Sequence, residues 1–297
     1  MTMQPRAIVP SEPPGIVAAV RLHVCGTRGS TPAPGREFVR YGGHTSCIAV
    51  SNGDEDPHMV LDGGTGLRTL SAILNGRAFA GTILLGHLHW DHTHGLPFFA
   101  AGMREGARVE VLMPAQGDAS TVMARAVSPP HFPVTLEEFG TGAWSVASLE
   151  EGKHRIEGFD VLAREIPHKG GRTFGYRVSD GASSVAYLSD HAPIGEGPDG
   201  LGEYDEASRD LIEGVDLLVH DSQHVASEFA EKRYLGHSAV EYAIGLAREC
   251  GAKSLMLFHH DPERTDDQID EILTTVGRPS MPLFAATEGA AIDLPWP

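Results

Sequence analysis

The sequence predicts an α/β protein, and two observations carry that reading. Short apolar runs of strand length alternate with stretches of helical periodicity, and from about residue 60 to about residue 260 several of the runs end in histidine or aspartate. Glycine and proline punctuate the segments between them, as turns require. A chain of 297 residues with 41% hydrophobic composition can bury a large core, and we expect a loose tail over 1–16 followed by a single domain over 17–297.

Composition narrows the function classes. Met1 to Gly15 holds four prolines and lacks the basic-then-apolar pattern of a secretory signal. No run approaches the roughly 18–20 apolar residues that span a bilayer. The expectation is a cytoplasmic protein without a membrane partner. Cys25, Cys47 and Cys250 match no C-x-x-C spacing and read as free thiols outside the chemistry. The formal net charge is -17, with 23 basic against 40 acidic residues. Nucleic-acid binding relies on Lys and Arg neutralising phosphates, so a large nucleic-acid partner is not expected.

Taken in order, Val17 to Cys25 reads as a first strand. Thr45 to Ser51 and His58 to Leu61 follow after the glycine- and proline-rich stretches Gly26 to Pro32 and Arg40 to Gly43. Asp62-Gly63-Gly64-Thr65-Gly66 permits a tight turn into a helix over Leu67 to Leu74. Thr82 to Leu85 is a buried strand that delivers Gly86-His87-Leu88-His89-Trp90-Asp91-His92. Imidazole and carboxylate are the usual ligands of zinc and similar ions, and His87, His89, Asp91 and His92 give too many donors for one tetrahedral ion. A second metal is the natural inference.

Beyond that loop, His94 to Phe99 continues into a short helix, Val109 to Met113 is a strand and Ser120 to Val127 a helix. The prolines of Ser128-Pro129-Pro130-His131-Phe132-Pro133 force a loop, which makes His131 and Phe132 candidate substrate contacts unless Phe132 packs into the core. Ala143 to Asp190 runs strand after strand, with His168 following Phe159 to Pro167 and Asp190 closing Ser184 to Ser189. His191 to Tyr204 is a loop, and Asp216 to Asp221 another strand. Ser238 reads as an N-cap with Glu241 as its reciprocal partner, placing His237 just before a helix. Leu255 to Phe258 leads to His259, with His260 turned away if strand alternation continues. A last helix is capped by Thr265 and Gln268, with Ile269, Ile272, Leu273 and Val276 inward. No internal repeat is legible.

H-x-H-x-D-H after a strand, with Asp62, His168, Asp190 and His259 at further strand ends, resembles the metallo-β-lactamase superfamily of metal-dependent hydrolases. The resemblance implies a four-layer αββα sandwich. Gly26 to Pro32, His220-Asp221 and Gly236-His237-Ser238 resemble the branch that contains ribonuclease Z and the cyclic-phosphate phosphodiesterases. By this resemblance His87, His89 and His168 hold one divalent ion and Asp91, His92 and His259 another, with Asp190 bridging. Zinc is the first expectation, and manganese or iron suits the same donors. Hydrolysis is the implied reaction, with His237 as general acid, Asp221 orienting it and Asp91 counted with them as catalytic.

Of the branch's substrates, small anionic phosphodiesters of the cyclic nucleotide or phosphoribosyl cyclic phosphate type are favoured. A lactone or thioester hydrolase of the same fold and a non-catalytic metal-binding sensor are the alternatives. The resemblance places a transfer-RNA-gripping arm within His191 to Tyr204, but those fourteen residues contain acids and no Lys or Arg, so transfer RNA processing is not expected. A homodimer is compatible with all of this.

Overall fold

The computed structural model describes residues 20–135, 138, 142–277 and 279–295. The expected tail over 1–16 and residues 17–19 of the expected first strand lie outside them. In chain order the first half builds strands β1 (Val20–Gly26), β2 (Cys47–Asn52) and β3 (Met59–Leu61), helix α1 (Leu67–Ile73), β4 (Ala80–Leu84), α2 (Trp90–Thr93), β5 (Arg108–Pro114), α3 (Ala119–Ala124) and β6 (Trp144–Leu149). The second half builds β7 (Gly152–Ile156), β8 (Phe159–Glu165), β9 (Phe174–Ser179), β10 (Ser184–Leu188), α4 (Glu206–Ile212), β11 (Leu217–Asp221), α5 (Ala226–Lys232), α6 (Val240–Glu249), β12 (Leu255–Phe258), α7 (Asp266–Thr275), β13 (Leu283–Ala285) and β14 (Ala291–Asp293).

The described strands form two seven-stranded sheets, ordered β14-β1-β2-β3-β4-β5-β6 and β13-β12-β11-β10-β9-β8-β7. Each sheet has an antiparallel part and a parallel part. In the first, the pairs from β14 to β3 are antiparallel and those from β3 to β6 parallel. In the second, β7 to β10 are antiparallel and β10 to β13 parallel. The two halves therefore share a plan that the sequence does not announce.

Alternation along the strands explains the layering. In β10 Val185 and Tyr187 enter the core between the sheets, while Ala186 and Leu188 face the helices outside. The same split puts Met256 and Phe258 of β12 between the sheets and Leu255 and Leu257 on the helical side. Strands covered on both faces read as continuous apolar runs, which is why Leu255 to Phe258 shows no alternation in sequence. On the outer face of the first sheet Leu67 and Leu70 of α1 pack with Val60 and Ile83. The four-layer αββα order is thus present.

One local expectation fails. The helix near His237 starts at Val240 with Ala239 as N-cap and no side-chain cap bond. The Ser238 hydroxyl donates instead to the His191 carbonyl at 2.5 Å, and Glu241 accepts from the Ala226 N–H at 2.8 Å. Ala239 forms a parallel bridge with His224, which keeps the backbone extended one residue past the expected cap. Long-range partners outcompeted the local box. At α7 the expected box of Thr265 and Gln268 does form.

Candidate metal centre

Most of the metal-type residues arrive at the carboxyl ends of parallel strands, the end of an α/β sheet where ligands gather. Asp62 follows β3, the histidine loop follows β4, Asp190 follows β10, Asp221 ends β11 and His259 follows β12. His168 comes from the β8–β9 connection. Three groups result among the described residues, His87 with His89, His168 and Asp190, Asp91 with His92, Asp190 and His259, and Asp221 with His237 and His259, each with its donor atoms within 4.8 Å of one another.

Asp190 joins the first two groups through its two oxygens. Oδ2 lies 3.5 Å from His168 Nε2 and 3.7 Å from His87 Nε2. Oδ1 lies 2.9 Å from His92 Nε2 and 3.3 Å from His259 Nε2. Asp91 Oδ2 is 3.0 Å from His259 Nε2. Both ring nitrogens of His87, Nε2 of His92 and Oδ1 of Asp190 are buried without a hydrogen-bond partner. Unpaired buried polar atoms are costly, and so many in one place, all good ligands for borderline divalent ions, fit a metal site.

Partners outside the clusters fix the tautomers. His92 Nδ1 donates to Asp62 Oδ2 at 2.7 Å, and His168 Nδ1 to the Gly236 carbonyl at 2.7 Å. In the neutral form of both rings this leaves Nε2 without a proton and free to ligate. His237 Nδ1 donates to Asp221 Oδ2 at 2.8 Å. That carboxylate also accepts from the His191 and Gln223 backbone N–H groups.

The electrostatics suit a cation. Burial, reinforced by neighbouring His92, holds His87 well below the usual histidine range, so it stays neutral as a ligand must. Burial also opposes protonation of His92, but Asp190, Asp91 and Asp62 outweigh it and raise its affinity for a proton. A field that draws a proton into a buried site also draws a metal ion. Asp190 is held far below the carboxylate range, burial being overcome by His259, His92 and His87. For His237 burial is likewise outweighed, by Asp221 first and then by Asp190 and Asp91, and its value is raised to about 9.

A cavity of about 360 Å³ opens onto these groups, lined by Ser30, Leu88 and Trp90 together with His89, Asp91, Asp190 and His237. A larger one, about 440 Å³, lies between the Pro32 to Gly43 segment and Glu288 and contains none of the candidate ligands.

The seven expected ligands meet, and His237 and Asp221 join them. The expected substrate contacts do not: neither His131 nor Phe132 lines the cavity. His131 is exposed, while Phe132 packs against the outer core of the first sheet with its ring 6.0 Å from Phe98. His260 is buried, with Nε2 donating to the Ala286 carbonyl at 3.1 Å. His259 has a φ of 57°, so strand alternation stops there and His260 turns inward. Sequence reasoning placed Asp62 among the strand-end motifs that carry the resemblance without making it a ligand, and gave no role to Ser30 or Trp90.

A family model described as a beta-lactamase superfamily domain matches residues 61–260. Ribonuclease BN of Escherichia coli is 29% identical over 146 residues, which are 49% of this chain and 38% of that protein. The chain thus spans well under two thirds of that relative. Ribonuclease Z of Brevibacillus brevis is 26% identical over 243 residues, covering 69% of this chain and 76% of its own. Among solved structures, the metallo-beta-lactamase fold protein YhfI from Bacillus subtilis is similar with a TM-score of 0.68 at 18% identity, over 92% of this chain and 99% of its own. That likeness is one of fold.

Proposed function

We propose that this chain, which belongs to the beta-lactamase superfamily, is a phosphodiesterase that uses two divalent ions, zinc by preference, on small phosphodiesters of the cyclic nucleotide or phosphoribosyl cyclic phosphate type. Bound in the two clusters that share Asp190, such ions supply Lewis acidity and make water a competent nucleophile near neutral pH. The reading rests chiefly on His237, which borders the cavity while its Nδ1 is tied to Asp221 at 2.8 Å.

That bond leaves Nε2 as the working atom. When a phosphodiester breaks, its alkoxide leaving group benefits from a proton, and help of this kind contributes about 10² to 10⁴ in rate. His237 donates that proton from Nε2, and the buried Asp221 carboxylate stabilises the imidazolium beforehand and keeps the ring oriented. Leu88 and Trp90 give the cavity an apolar wall for the group the ester carries. Two relatives are named ribonucleases, which supports phosphodiester chemistry. The net charge of -17 favours a small diester over a long polyanion. No described helix is long and apolar enough to cross a membrane.

The test is a substrate panel on the metal-loaded chain: bis-p-nitrophenyl phosphate, cyclic nucleotides, a ribose cyclic phosphate, a precursor transfer RNA, a lactone and a thioester. We expect turnover of small diesters well above the rest. Full metal content with no diester hydrolysis would refute the reading, and preference for lactone or thioester would replace it.

A further inference from the structure

The segment Arg28 to Thr31 presses on two of the candidate ligands. Gly29 lies so close to His259 that a Cβ added there would sit 2.7 Å from the ring, and its N–H donates to the His260 carbonyl at 2.9 Å. The next residue, Ser30, stands in the left-handed region with a φ of 60°, uncommon for a residue with a side chain. This conformation accompanies a short bond: the Ser30 N–H donates to Asp91 Oδ2 at 2.6 Å. The Ser30 hydroxyl accepts from Gln223 Nε2 at 3.0 Å. Gln223 is 4% exposed, and its Oε1 is buried without a partner. An amide kept in the interior at that cost, with Ser30 as its contact, points to a role at Ser30.

We propose that Gln223 and Ser30 are positioning residues for the metal ligand Asp91. Gln223 holds Ser30 in its left-handed conformation, and the Ser30 N–H fixes the rotation of the Asp91 carboxylate toward the group it shares with His92, Asp190 and His259. The Gln223 backbone N–H also donates to Asp221 Oδ1 at 3.0 Å. That second bond survives any side-chain replacement, so the amide can be removed without releasing Asp221. Outer partners of metal ligands typically contribute 10- to 100-fold in metal affinity. The inference rests on Asp91 as a ligand and is independent of the substrate.

The experiment is competition for Zn²⁺ between the full chain and a chromophoric chelator, without substrate, alongside the visible spectrum of the Co²⁺-loaded protein. Gln223→Leu should weaken one Zn²⁺ equivalent by roughly 10- to 100-fold, leave the other little changed and alter the Co²⁺ bands. Ser30→Gly keeps the N–H and tolerates the left-handed backbone but removes the hydroxyl, so it should give a loss of the same kind. The double variant should be no weaker than the worse single one, because the two residues act in one chain. Should Gln223→Leu fail to fold, Ser30→Gly alone carries the test. Unchanged Zn²⁺ affinity with a lowered Tm, or additive losses in the double variant, would overturn the proposal. An inert enzyme whose Zn²⁺ affinities follow this pattern would refute the phosphodiesterase reading and leave this inference standing.

Discussion

Asp62 and His92 are joined through a 2.7 Å bond from the imidazole Nδ1 to Oδ2, and that bond aims His92 Nε2 at Asp190. The same Asp62 carboxylate accepts from the Gly86 N–H at 2.7 Å, the Tyr187 hydroxyl at 2.8 Å and the Ser189 hydroxyl at 3.0 Å. One buried side chain on the first sheet thus fixes the start of the histidine loop and reaches two residues at the end of β10 in the second. It ties the sheets together where the candidate ligands emerge.

Asp62→Asn, the same shape without the charge, would set an amide N–H against one of these donors. We expect Zn²⁺ affinity to fall roughly 10- to 100-fold and stability to drop by about 1–3 kcal/mol. Chelator competition and urea unfolding read the two. Affinity within twofold of the parent would show that Asp62 does not orient His92.

Arg28 is fully buried, its Nε donating to the Gly42 carbonyl at 2.7 Å and Nη1 to the Arg264 carbonyl at 2.6 Å, with Nη2 3.6 Å from Asp266. It pins the Ser30 loop to the start of α7. Arg28→Met leaves those carbonyls unpaired and takes from the buried Asp266 carboxylate one of its two cations, the other being Arg40 with Nε at 3.8 Å, a change that costs about 1–3 kcal/mol. The denaturant midpoint should fall at unchanged m-value. A shift worth less than about 1 kcal/mol would mean that water replaces the guanidinium.

His220 and His260 predict the acid response of the fold. Burial first, then the charge of His191 in one case and of Arg28 in the other, depresses each to about 3. Both are therefore neutral in the folded chain at pH 6, while an unfolded histidine binds a proton below about 6.5. The unfolded state then holds more protons, so stability falls as pH drops from about 6.5 toward about 3, by up to ~1.4 kcal/mol per pH unit for each histidine. His220→Gln should remove one proton's share of that slope in urea titrations of the metal-free protein between pH 6 and 4. An unchanged slope would show that His220 is already charged when folded.

Asp221→Asn should reproduce part of the activity loss of His237→Ala, and the double variant should fall little below His237→Ala, since residues acting as a unit are not additive. Additive losses in kcat on an alkyl diester would separate the two roles.

The candidate ligands were legible because most of the metal-type residues stand where an apolar run stops, and a buried strand that ends in His or Asp has few other reasons to do so. The layer order followed from the resemblance those residues carry. Contacts across long separations were not legible: Gln223 meets Ser30 from 193 positions away, and no periodicity encodes such a pairing. Local rules failed where distant partners were stronger, as when Ser238 and Glu241 satisfied backbone groups of His191 and Ala226 in place of their own helix end. They failed also where the backbone left its regular path, as at His259. At the Ser128 to Pro133 loop proline marks a rigid turn without saying which way its aromatic points, and of the two readings left open there Phe132 follows the packed one, lying on the outer core.

The most direct test of the account is the leaving-group dependence of His237→Ala. If His237 protonates the departing oxygen, kcat on diesters with alkyl leaving groups should fall by about 10² or more, while p-nitrophenyl esters, whose leaving group is already a stable anion, should lose far less. Metal content should stay that of the parent. Equal losses across leaving groups, or the loss of a metal equivalent, would contradict the role assigned to this histidine.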